Sequence, residues 1–145
     1  MRKILIPVDG SEPALRAVRY AISLSDKLKD PMEVLLLNVQ YPLPAKELLT
    51  NGRPSEVRQL EEPLREMGEK LLTPARAALE QSKIANKTYI EFGDPAPTIS
   101  NFAKTYHCEL IVMGTRGMGS IASLLLGSVA TKVIHLSDAP VMLVR

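Results

Sequence analysis

The sequence predicts an α/β fold: a doubly wound, five-stranded parallel sheet with helices on both faces, of the Rossmann-like kind. Two observations carry this. Short, branched, apolar runs alternate from end to end with segments of helical periodicity, and strand–helix–strand crossovers onto a parallel sheet produce that alternation. The runs are also hydrophobic nearly throughout, as in MEVLLLNV, the pattern of strands covered on both faces.

Taken in order, Lys3-Ile4-Leu5-Ile6-Pro7-Val8 reads as a buried strand that stops at the turn Asp9-Gly10-Ser11. Ser11 suits the N-cap of a first helix with Pro13 in its first turn, and Ala14, Leu15, Val18, Ala21, Ile22 and Leu28 recur at helical spacing. Met32 to Val39 is the second strand. From Gln40 to about Ser55 the chain carries Pro42, Pro44, Asn51, Gly52 and Pro54, a loop long enough to be functional or variable. A helical tract follows to about Ile84, in which Pro63 and Pro74 must either kink one helix or mark the first turns of shorter ones.

Lys87 to Phe92 alternates like a third strand, Gly93-Asp94-Pro95 turns, and Ile99, Phe102, Ala103 and Tyr106 mark the inner face of a further helix. Leu110 to Met113 is the fourth strand. After it comes GTRGMGSIASLLLGS, Gly114 to Ser128, and then a helix over Val129 to His135 and a fifth strand over Ala139 to Val144.

A chain of 145 residues, 46% hydrophobic, suits one domain spanning residues 1–145. Eighteen basic residues against sixteen acidic ones give a formal charge of +2, no electrostatic footprint for nucleic acid or an anionic membrane. The apolar run at the N-terminus is broken by Pro7 and Asp9, and no stretch approaches the roughly 20 apolar residues of a membrane span. A single cysteine, Cys108, and two histidines, His107 and His135, give neither an internal disulfide nor a metal-ligand cluster, which fits a reducing, cytoplasmic setting. Cys108 beside His107 invites a catalytic reading, but neighbours just before a strand point to opposite sides, so a buried, idle thiol is expected. His135 suits the C-terminus of its helix. No nucleophile–base constellation is visible.

The glycine-rich stretch needs a reason, because so much glycine costs conformational entropy on folding. In a doubly wound sheet, ligands sit beyond the carboxyl ends of the strands where strand order reverses. If the first and fourth strands are neighbours there, the turns after Val8 and Met113 open onto one crevice. Glycine lets backbone approach a ligand, and free N–H groups at a helix entry suit phosphate. Gly127 and Ser128, just before the last helix, are placed to grip phosphate oxygens, with Arg116 as a charged clamp. The familiar motifs fail: Gly114, Gly117 and Gly119 are not spaced as G-x-G-x-x-G, and Ser120 stands where a P-loop needs lysine.

Gly114, Gly117, Gly127 and Ser128 do match G-x2-G-x9-G-[ST], and in this motif the chain resembles the ATP-binding branch of the universal stress protein family. KILIPVDGSEPALRAVRYA is similar to that family's opening strand, turn and helix, VLLLNV to its second strand, and LLGSVATKVIHLSDAPVMLVR to its closing segment. The resemblance implies strand order 3-2-1-4-5, homodimers, and ATP, with AMP and ADP as related ligands and Mg2+ as companion. It places Pro7, Val8 and Asp9 against adenine and ribose, and the backbone of Val39 at the adenine edge. Met113, Gly114, Arg116, Gly117, Gly127, Ser128 and Val129 fall on the ribose and phosphate segment. Position 116 varies among such relatives, and Ala130 replaces a hydroxyl that some of them carry.

Plainer readings stand beside these. Asp9 suits a cap on backbone amides as well as ribose, Ser128 suits an N-cap, and Arg116 suits solvent. The functional expectation is an ATP-binding, nucleotide-responsive sensor or adaptor. Its alternatives are a dimeric binding module without nucleotide and a weak ATPase or nucleotidyl or phosphoryl transferase using Asp9 with Mg2+. An apolar fifth strand, Val141 to Val144, is an edge that would pair with its copy in a homodimer.

Overall fold

The computed structural model describes residues 2–42, 50–115 and 126–145. Its elements are β1 (Arg2–Pro7), α1 (Glu12–Lys27), β2 (Met32–Gln40), α2 (Pro54–Gln81), β3 (Ala85–Phe92), α3 (Pro95–Thr105), β4 (Leu110–Gly114), α4 (Ser128–Leu136) and β5 (Val141–Val144). The strands form one sheet in the order β3-β2-β1-β4-β5, every pair parallel. Alternation along the chain thus became crossovers, and the predicted fold class and strand order are the observed ones.

Because successive residues of a strand point to opposite faces, the apolar runs feed two cores. Ile4, Ile6, Val34, Leu36 and Val112 face one side, where Ala14, Ala17, Val18 and Ala21 of α1 and Leu72, Ala75 and Leu79 of α2 cover them. Leu5, Leu35, Leu37, Ile111 and Met113 face the other, under Ile99 and Phe102 of α3 and Ala130 and Val133 of α4. Among the described residues, no helix is long and apolar enough to cross a membrane.

Local rules located most ends to within two residues. Ser11 caps α1, its side chain accepting from the Ala14 N–H at 3.3 Å, with proline in the first turn as expected. The alternative of shorter helices around Pro63 and Pro74 fails: both prolines lie inside the single helix α2. Its buried residues Gly68, Leu72, Ala75 and Leu79 continue at helical spacing across Pro74, so packing on the sheet carries the helix through a residue that removes a donor. Within the predicted loop after Gln40, residues 43–49 lie outside the described ones.

Candidate functional site

The strand order reverses at β1, which pairs with β2 on one side and β4 on the other. The β1–β2 register runs to Pro7↔Leu37, whereas the β1–β4 register comprises only Ile4↔Leu110 and Leu5↔Ile111. Ile6 and Pro7 on one strand and Val112 to Gly114 on the other lie beyond those pairs. This is where a doubly wound sheet opens a crevice at its carboxyl end.

On the β1 side, the Val8 side chain is buried with the core under α1 and α2, so only its backbone borders the crevice. The Val8 N–H donates to the Leu37 carbonyl at 2.8 Å. Asp9 is exposed and its Oδ1 accepts from the Ser11 N–H at 3.0 Å, so the expected structural role of this carboxylate is present. On β2, Leu37 bonds toward β1, and Gln40 bonds toward β3 through the Gly93 N–H at 2.9 Å. By strand alternation the backbone groups of Val39 are directed toward β1, past the last rung of the ladder.

On the β4 side, Met113 is buried in the core under α3 and α4 and offers backbone only. Gly114 has a packing reason as well. A Cβ there would stand 2.7 Å from Pro13 Cβ and 2.8 Å from its backbone, so this glycine admits the first turn of α1. Beyond it, the Thr115 N–H donates to Val144, and Thr115 in turn accepts from the Gly127 N–H. These two bonds bring Gly127, Ser128 and Val129 back beside the end of β4. Arg116 and Gly117 lie outside the described residues.

The entry of α4 differs by one residue from expectation. Gly127 is its N-cap and Ser128 its first helical residue, so Ser128 is not the cap and its side chain is exposed. As the first residues of the helix, Ser128, Val129 and Ala130 have amides that no carbonyl within the helix can reach, and the helix dipole makes this end positive. Acidic groups complement that charge at the other helix starts: Glu12 in α1, Glu56 in α2 and Asp94 at the cap of α3. The cap and first turn of α4 contain none. Among the described residues, this helix entry is the one best suited to an anion.

Sequence reasoning missed Asn38. It is 2% exposed, and its Nδ2 donates to the Val8 carbonyl at 2.8 Å. The signal was a lone amide inside the apolar run VLLLNV.

The Cys108–His107 neighbourhood lies at the opposite, amino end of the sheet, in a cavity of about 430 Å³ lined also by Lys104, Glu109 and Asp138. Cys108 is buried while His107 is exposed at φ 56, and burial pushes the thiol pKa up. A thiol held protonated is a poor nucleophile. The thiol is buried, as expected. Among the described residues, no group of three His, Cys, Asp or Glu side chains is arranged to hold a metal.

Residues 1–145 match the sequence profile of the universal stress protein family. The chain is 33% identical to universal stress protein MJ0531 of Methanocaldococcus jannaschii over 99% of its own length and 82% of that protein's. Its fold is similar to the solved structure of hypothetical protein MJ0577, with a TM-score of 0.79 and 29% identity, covering 99% of this chain and 94% of that one. An Arabidopsis thaliana universal stress protein family member solved with AMP bound shares the fold at a TM-score of 0.69 and 21% identity, covering 99% of this chain and 91% of its own.

Proposed function

The chain belongs to the universal stress protein family, and we propose that its carboxyl-end crevice binds ATP, making it a cytoplasmic, nucleotide-responsive sensor or adaptor in a stress response. The observation that carries this reading is the entry of α4: three amides without helical partners and no acidic residue, tied back to the end of β4 through Thr115 and Gly127. The phosphates lie against Gly127, Ser128 and Val129, and the motif residues Arg116 and Gly117 complete that segment. Ribose meets Asp9, Met113 and Gly114. Adenine meets Pro7, Val8 and the backbone of Val39.

AMP and ADP engage the same nucleoside half with fewer phosphate contacts. AMP in the Arabidopsis relative is a ligand of this class. Mg2+ keeps several waters and binds through phosphate oxygens plus one or two carboxylates, so Asp9 with the bound phosphates suits it without a dedicated protein cage. The residues of the crevice bind and orient, with Asp9 also holding the Ser11 amide.

The working state is a homodimer through β5. The carbonyls of Pro140 and Val144 accept from Ile111 and Thr115, so alternation turns the backbone groups of Val141 and Leu143 outward. All four residues of the strand are partly exposed and apolar, an edge that pairing with a second copy would cover. Light scattering should show a dimer for the wild type and a monomer for Leu143→Pro, which removes an outward donor. A Leu143→Pro protein that stays dimeric contradicts this interface.

Nucleotide content tests the main reading. Denatured purified protein should release adenine nucleotide, detected by mass spectrometry, or the purified protein should take up added ATP at one per chain. Protein that does neither contradicts it.

A further inference from the structure

Asn38 is the polar side chain in the otherwise apolar stretch Val34 to Val39, and a buried amide is tolerated only when its groups are bonded. Here both ends are used. Its Nδ2 donates to the Val8 carbonyl at 2.8 Å, and its Oδ1 accepts from Gln40 Nε2 at 2.7 Å. The Val8 carbonyl can only accept, so it fixes the nitrogen end of the amide toward β1, and Gln40 then supplies a donor to the oxygen. Helix α2 crosses directly above: a Cβ at Gly68 would stand 2.8 Å from Asn38 Oδ1 and 3.0 Å from Ile90 Cδ1. Glycine at that point leaves the amide its room.

The paired register of β1 and β2 ends at Pro7↔Leu37. The next residue is nevertheless held twice by β2, through its N–H to Leu37 and through its C=O to Asn38. That second bond sets the plane of the Val8–Asp9 peptide, from which the Asp9 carboxylate hangs. Val39, whose backbone is directed over the same space, is the residue next to Asn38. One side chain thus ties the turn after β1 to the end of β2.

We propose that Asn38 is a positioning residue for the nucleoside half of the crevice, holding the Val8–Asp9 turn and the Val39 backbone in the mutual geometry that adenosine requires. The inference rests on the nucleotide reading above. Asn38 need not touch the ligand; it sets the spacing of groups that do, so the arrangement exists before binding and its ordering cost is not charged against affinity.

Asn38→Leu keeps the volume and removes both bonds, while Gln40→Leu, at a partly exposed position, removes only the bond that steadies the amide oxygen. Calorimetry with AMP and with ATP should show Asn38→Leu weakening both by the same factor, about tenfold, the effect of one lost hydrogen bond. Gln40→Leu should weaken both by about threefold. An equal factor places the defect in the half common to the two nucleotides, whereas general loosening of the phosphate segment costs ATP more than AMP. Unchanged affinities in a folded Asn38→Leu protein, or an ATP loss well beyond the AMP loss, overturn the proposal. Should Asn38→Leu fail to fold, Gln40→Leu decides by the same comparison, and equal wild-type affinities there overturn it. A wild type that binds neither nucleotide overturns the nucleotide reading and this inference with it.

Discussion

The two ends of the sheet are chemically opposite. At the carboxyl end the strands run out into the Val8–Asp9 turn and the Gly127–Ser128 helix entry, where helices begin and present backbone N–H groups. At the amino end the cavity beside Cys108 is walled by the ends of α3 and α4, where helices expose carbonyls. Parallel strands with crossover helices force this division, since each helix runs back against its strands and all helix N-termini gather at one end. Side chains follow the field. Lys27, Lys104 and His135 stand in the last turns of α1, α3 and α4, while acidic residues mark the starts of α1, α2 and α3. The entry of α4 breaks that pattern, since its cap and first turn carry no carboxylate.

The largest effect expected from this contrast follows from supplying the missing complement. Ser128→Asp should stabilise the ligand-free protein by about 0.5 kcal/mol through the helix dipole. It should also cost ATP about 3 kcal/mol through like-charge repulsion at the protein surface. Thermal unfolding and calorimetry would read opposite signs for the two quantities. A variant that binds ATP as well as wild type removes the phosphates from α4.

A comparable change in stability alone is expected at Gly114. Gly114→Ala puts a methyl group against the Pro13 backbone, and overpacking of this kind should lower stability by about 2–3 kcal/mol, measured by denaturant unfolding without ligand. Unchanged stability would contradict the packing role of this glycine against Pro13.

Asp9→Ala is the mildest of the three. Losing the ribose hydrogen bonds should weaken ATP by about 2 kcal/mol, and losing the Ser11 bond should lower stability by about 1 kcal/mol. If stability falls and affinity does not, Asp9 is a cap and nothing more.

How much of this was legible in the sequence depended on the range of the interaction involved. β1, β2 and β4 were legible as continuous apolar runs buried on both faces and β3 by its alternation, and the Asp9–Ser11 turn because its bonds span two or three residues. Strand order came from the resemblance carried by Gly114, Gly117, Gly127 and Ser128, since alternation alone leaves the order of parallel strands open. Pro63 and Pro74 left one helix or several open, because the local rule for proline does not see the buried stripe from Gly68 to Leu79 that carries the helix past Pro74. Gly114 and Asn38 were illegible for the same physical reason: each is explained by a partner distant in the chain, Pro13 in one case and Val8 in the other. The N-cap fell one residue early because Gly and Ser are both good caps, and neighbouring good caps leave the boundary undecided.

The central claim is that the carboxyl end of this sheet is a nucleotide site, and titration of ATP into the wild-type protein by calorimetry tests it most directly. The account predicts saturable binding at one ATP per chain, abolished in a folded Gly127→Val protein because a branched side chain fills the helix entry. Absence of binding by the wild type, or undiminished binding by Gly127→Val, would contradict it.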